Sequence, residues 1–211
     1  MSFIRVLTCG ALETNAYLFG LDADERVILL DAPQGCFDEV SAVLEKTGRR
    51  LEAVFITHSH FDHVMDVGYF TEKDVPVHAH GDSRDAIENP QALDMFELSA
   101  DERPKGRVSV PLAGGIRLPA AGFEIEVLEV PGHATDSLAY HIPSHSICFV
   151  GDLIFRDSVG RTDLPGGDFN QLAESIRTRI YSLDDSTIIY PGHGPPTTVG
   201  SEKRGNPFVR A

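Results

Sequence analysis

The sequence predicts an α/β protein in which sheet layers are covered by helices. Three observations predict it. Short strand signals lead into a helix and a further strand, and this order occurs twice along the chain. The length of 211 residues with 42% hydrophobic residues suffices for a sizeable core. Chemically reactive side chains gather in turns that follow predicted strands, where α/β active sites collect.

The first half opens with strands over 3–9, 14–19 and 26–31, rich in Val, Ile, Leu and aromatics and separated by Gly or Asp. They read as an antiparallel meander. Phe37, Val40, Val43 and Leu44 then keep helical spacing over 37–46, and Gly48 stops the helix. A buried strand over 53–57 completes the unit. The second half has strands over 123–130, 138–142 and 147–150, a helix from Phe169 to about Tyr181, and a strand over 186–190. Asp168 and Gln171 form a capping pair for that helix. No repeat, low-complexity tract or linker divides the chain, so one domain spanning 1–211 is expected.

Composition excludes several roles. A net charge of −14 makes the surface repel phosphate backbones, which argues against nucleic-acid partners and anionic membranes. No apolar run reaches membrane-helix length, and residues 1–10 do not form a leader, so a cytoplasmic location is expected. Cys9, Cys36 and Cys148 lie in no CxxC pair and read as small buried residues.

The chemistry concentrates in His58-Ser59-His60-Phe61-Asp62-His63, directly after the strand that ends at Thr57. In an extended chain residues i and i+2 share a face, so His58 and His60 converge on one point while Asp62 and His63 turn toward another. Imidazole nitrogen and carboxylate oxygen suit zinc, iron or manganese. Taken singly, Asp62 could cap a helix starting at His63, and strand-end histidines could be solvated. Three histidines and an aspartate in one loop point instead to a metal site. Further donor residues, His133, Asp152 and His193, sit in Pro131-Gly132-His133, Gly151-Asp152 and Pro191-Gly192-His193-Gly194. His78 and His80 repeat the i, i+2 spacing without a following carboxylate or Cys motif that completes a site, and read as structural. His141 and His145 flank Pro143-Ser144 and read as surface residues. Met95, Phe96 and Leu98 read as core or as a lid over the site.

Residues 58–63 fit an HxHxDH motif at every specified position, and with the three later turns the sequence resembles the metallo-β-lactamase superfamily. That resemblance implies a four-layer α/β/β/α sandwich with the metal site between its two sheets. It assigns His58, His60 and His133 to one divalent ion, Asp62, His63 and His193 to a second, and Asp152 to a bridge. It further implies hydrolysis by a hydroxide shared between the ions, with Asp62 and Asp152 as the catalytic carboxylates. Asp31 follows the third strand as a candidate to orient a ligand imidazole or as an ordinary turn residue.

The segments Gly151-Asp152-Leu153-Ile154-Phe155, Ser158 to Asp163, Gly166-Gly167-Asp168, and Glu202-Lys203-Arg204 with Asn206-Pro207-Phe208 are similar to the glyoxalase II branch. The branch implies hydrolysis of thioesters such as S-lactoylglutathione, with a small-molecule thioester as partner. Arg161, Lys203 and Arg204 are the candidate grips for its carboxylates, or solvated charges. Long glyoxalase II enzymes carry a further C-terminal helical region, whereas only 18 residues follow His193 here. A persulfide dioxygenase with one iron, a lactonase or β-lactamase, and a non-catalytic metal-binding module are the alternatives. Zinc is the expected metal, with iron or manganese as alternatives.

Overall fold

A nearly continuously buried second strand anchors the opening hairpin. In the computed structural model, which describes residues 1–89 and 104–211, β1 (Ser2–Cys9) pairs antiparallel with β2 (Thr14–Leu21), and β2 pairs antiparallel with β3 (Arg26–Leu30). This is the predicted meander. Helix α1 (Cys36–Thr47) turns its Cys36 and Val40 into the core and ends at Gly48, whose φ of 69° is left-handed backbone. It returns the chain to β4 (Arg50–Phe55), which lies parallel to β3. The strand therefore lies slightly earlier than the predicted 53–57.

The chain divides into two compact units, 1–112 with 119–122, and 113–118 with 123–211. The first unit continues through short helices α2 (Phe61–Val64) and α3 (Val67–Glu72), β5 (Val77–His80), α4 (Arg84–Glu88) and β6 (Val110–Leu112). Its six strands run in the order β1–β2–β3–β4–β5–β6. Leu18, Leu29, Val54 and Ile56 bury one face of this sheet together with Cys36, Val40 and Phe70 from the helices. Met95, Phe96 and Leu98 lie outside the described residues.

The second sheet has the order β14–β13–β10–β9–β8–β7, made of β7 (Arg117–Ala120), β8 (Phe123–Glu129), β9 (Leu138–Ile142), β10 (Ile147–Gly151), β13 (Ile188–Pro191) and β14 (Thr197–Thr198). A small hairpin, β11 (Ile154–Phe155) and β12 (Ser158–Val159), follows β10. Helix α5 (Phe169–Ser175) begins as predicted, with Asp168 accepting the Gln171 N–H at 2.9 Å. Its last stretch, 176–180, winds as a π-helix rather than continuing α-helical. Helix α6 (Val199–Gly205) follows β14. Leu172, Ile176 and Ile180 pack with Cys148, Val150 and Ile189 in the core of this unit. Among the described residues, no helix is long and apolar enough to cross a membrane.

Two readings are corrected by the fold. His141 is not a surface residue: it lies within β9, 9% exposed, and its Nδ1 meets Glu126 Oε2 at 3.1 Å. That hydrogen bond holds the Glu126 carboxyl below its ordinary value. Cys9 is only half-buried, whereas Cys36 and Cys148 are buried and burial raises their thiols well above the ordinary range.

Candidate metal centre

In the first unit the donors follow from the parallel pairing of β3 and β4, which brings their C-terminal ends side by side. Asp31 lies just beyond β3 in left-handed backbone at φ 58°, and its N–H donates to the Phe55 carbonyl. Its carboxylate accepts the Thr57 N–H at 2.7 Å and the Thr57 hydroxyl at 2.8 Å. The oxygen that accepts the hydroxyl, Asp31 Oδ2, also lies 2.8 Å from His63 Nδ1. Having given its proton to Asp31, the Thr57 hydroxyl can accept from His58 Nδ1 at 3.1 Å. Both imidazoles are thus held in the tautomer that keeps Nε2 as a lone-pair donor, an orientation that metal-bound histidines need.

The remaining first-unit donors close around these two. His58 Nε2 lies 3.1 Å from His60 Nδ1, and His63 Nε2 lies 3.5 Å from Asp62 Oδ2. Asp62 stands in the first turn of α2, but His60 at the N-cap makes no side-chain cap bond. Asp62 Oδ2 instead accepts the Thr14 hydroxyl at 2.7 Å. Thr14 in β2 therefore contributes to its position.

In the second unit, β10 and β13 are parallel neighbours, and the Gly192 N–H donates to the Gly151 carbonyl at 2.8 Å. This joins the two turns that carry Asp152 and His193, placing His193 Nε2 3.4 Å from Asp152 Oδ2. His133 Nε2 lies 3.6 Å from the same oxygen. His133 Nδ1 is fixed by the Arg161 carbonyl at 2.8 Å. Glycine is required at two points here. A Cβ on Gly132, whose φ is 133°, would sit 2.2 Å from the Leu172 backbone, and one on Gly160 would sit 1.7 Å from the Asp152 carbonyl oxygen.

The donor set fits divalent ions. Ligand atoms held at roughly 2.0–2.2 Å around a tetrahedral ion stand roughly 3.3–3.6 Å from each other. Three of the four donor pairs have that separation, at 3.4, 3.5 and 3.6 Å. Nitrogen and carboxylate donors without thiolate suit zinc, iron or manganese alike.

The cations expected to grip substrate are differently placed. Arg161 is exposed and its guanidinium meets Asp163 twice, at 2.7 and 2.8 Å, holding that carboxyl down to about 2. Its backbone carbonyl, not its charge, touches His133. Lys203 Nζ donates to Asp185 Oδ1 at 2.7 Å, and Arg204 lies 3.8 Å from the same carboxylate. Asp185 precedes β13, whereas His193 follows it, so the structure brings both cations to the opposite end of that strand. His80 accepts the Asp82 N–H, and His78 stacks on Phe55 with centroids 4.4 Å apart, both structural arrangements. Thr14, Thr57 and the Arg161 carbonyl touch candidate donors and were not singled out by sequence reasoning. Only Thr57, adjacent to His58 at a strand end, carried a local signal.

Comparison with known proteins agrees with this geometry. A family model described as the metallo-beta-lactamase superfamily matches residues 9–193. Probable metallo-hydrolase YqgX of Bacillus subtilis is 30% identical over 206 residues, covering 97% of this chain and 96% of that protein. Hydroxyacylglutathione hydrolase GloC of Haemophilus influenzae is 29% identical over 225 residues, covering 99% and 98%. The crystal structure of TTHA1623 in a di-iron-bound form is similar with a TM-score of 0.84 at 38% identity, covering 97% of this chain and all 100% of that one. With an α/β fold of two mixed sheets and its His and Asp donors in strand-end turns, the chain belongs to the metallo-beta-lactamase superfamily, a superfamily of metallo-hydrolases that bind divalent metals.

Proposed function

We propose that the protein is a metal-dependent thioester hydrolase of the glyoxalase II kind, acting on S-hydroxyacyl thioesters of glutathione. The observation that carries the reading is the donor geometry: His58, His63 and His133 each have Nδ1 anchored to an oxygen, and donor atoms stand at coordination spacing. In this reading His58, His60 and His133 would hold one ion, Asp62, His63 and His193 the second, and Asp152 would contribute to both. Zinc is the proposed metal, and the di-iron form of TTHA1623 supports two ions and makes iron the first alternative to test.

When bound, two such ions supply a hydroxide nucleophile near neutral pH and polarise an acyl carbonyl. The chain's own part is positional. Thr14 donates to Asp62 Oδ2 and so helps to orient the carboxylate that would position a water or receive its proton. Asp31, through Thr57 and directly, keeps both His58 and His63 in one tautomer. Arg161 is the one candidate cation beside a donor residue, so it is proposed to meet a carboxylate of the substrate.

The thioester assignment is supported by GloC, a hydroxyacylglutathione hydrolase by name, which is similar to this chain over 98% of its own length. A protein of comparable extent therefore bears that activity's name. The test is Asp152→Ala. It is expected to abolish both stoichiometric metal and turnover of thioesters, measured by metal analysis and steady-state kinetics. Full activity in that variant would overturn the reading.

A further inference from the structure

Glu202 is a carboxylate sealed inside the second unit at 1% exposure, and the proposed reaction makes no use of it. A carboxylate so buried is costly unless fully hydrogen-bonded. Its Oε1 accepts the Thr197 hydroxyl at 2.6 Å, and its Oε2 accepts Asn206 Nδ2 at 2.9 Å and the Asp157 N–H at 3.1 Å. Asn206, itself 4% exposed, also donates from Nδ2 to the Ser158 carbonyl at 3.0 Å. Both side chains therefore grip the same object, the turn between β11 and β12, where Asp157 takes a left-handed φ of 58°.

That hairpin adjoins all three donors of the second unit. Asp152 lies two positions before β11, and the Gly160 N–H closes the hairpin's base on the Leu153 carbonyl at 3.2 Å. Gly160 packs so tightly that no Cβ fits beside the Asp152 carbonyl. The next residue, Arg161, holds His133 by its carbonyl. Phe155, in β11, meets the His193 ring edge-on with centroids 6.2 Å apart.

We propose that Glu202 and Asn206 are positioning residues for the metal centre, acting through the β11–β12 hairpin to set Asp152, His133 and His193. The inference rests on the reading of those three residues as ligands. In it, the Glu202 and Asn206 segment, which resembles the glyoxalase II branch, contributes buried hydrogen bonds, not the charges of Lys203 and Arg204.

The experiment is a cobalt(II) titration of the metal-stripped full chain, followed by visible absorption and metal analysis. Glu202→Leu keeps the bulk and removes both acceptors, and it is expected to weaken cobalt binding about tenfold or more and alter the cobalt spectrum. Glu202→Gln can still accept at the Oε2 position while its amide donates to Thr197, so it should restore the wild-type spectrum. Tyr181→Phe removes hydroxyl bonds to the Glu202 and Val209 carbonyls, at 3.2 and 2.8 Å, without touching the hairpin. It should lower thermal stability and leave cobalt affinity unchanged. A folded Glu202→Leu protein with wild-type affinity and spectrum overturns the proposal. If that variant does not fold, Asn206→Ala decides by the same criterion. Failure of the wild-type chain to take up cobalt would instead overturn the ligand reading beneath it.

Discussion

His63 Nδ1 and Asp31 Oδ2 lie 2.8 Å apart, and both side chains are buried, although 32 positions separate them in sequence. Because the same carboxylate also binds Thr57, which in turn meets His58, one aspartate orients two proposed ligands. Asp31→Asn tolerates the left-handed backbone but has a single acceptor oxygen for these donors. It is expected to weaken metal binding by about 10- to 100-fold, read by competition with a chelator. Unchanged affinity would show that the contact does not tune the site.

Gly160→Ala tests the packing beneath Asp152. The added Cβ would lie 1.7 Å from the Asp152 carbonyl oxygen, so the backbone must move. A loss of about 1–3 kcal/mol in denaturant unfolding is expected, together with reduced metal content.

His78 gives a pH signature. Burial pulls it from the ordinary 6.5 down to about 4, with Glu52 opposing. Between those values the unfolded chain binds a proton that the native state does not, so this residue makes stability rise with pH from about 4 to 6.5. His78→Phe preserves an aromatic partner for Phe55 and should flatten that rise, measured as urea midpoints across the window. A slope identical to wild type would contradict it.

Arg161→Ala separates a backbone role from a side-chain role. The carbonyl that holds His133 survives the substitution, so metal stoichiometry should not change. Loss of an exposed charge contact to substrate should raise KM for lactoylglutathione about two- to fivefold. An unchanged KM would leave the guanidinium with Asp163 alone.

What the sequence disclosed and what it concealed follow from the range of the interactions. His58 to His63 were legible because four donors share six positions, and the three later turns because Gly or Pro marks each. The β3–α1–β4 unit was legible from periodicity. Asp31 could be named as a candidate for orienting a ligand or as an ordinary turn residue, without a choice between them, since nothing local shows that it reaches His63. Thr14 lies 48 positions from Asp62 and carried no signal. Helices α2 and α3 span one turn or little more, too short for a periodic pattern. His141 was misread because a neighbouring Pro-Ser turn suggested solvent, while its strand lies inside the sheet. Lys203 and Arg204 looked available in sequence, and Asp185 engages both.

Steady-state hydrolysis of S-D-lactoylglutathione by protein loaded in turn with zinc, iron and manganese, beside a chelator-stripped control, tests the proposed activity most directly. Metal-dependent turnover with kcat/KM of roughly 10⁴ M⁻¹s⁻¹ or more is the predicted result. Negligible turnover with two ions demonstrably bound per chain would contradict the thioesterase assignment.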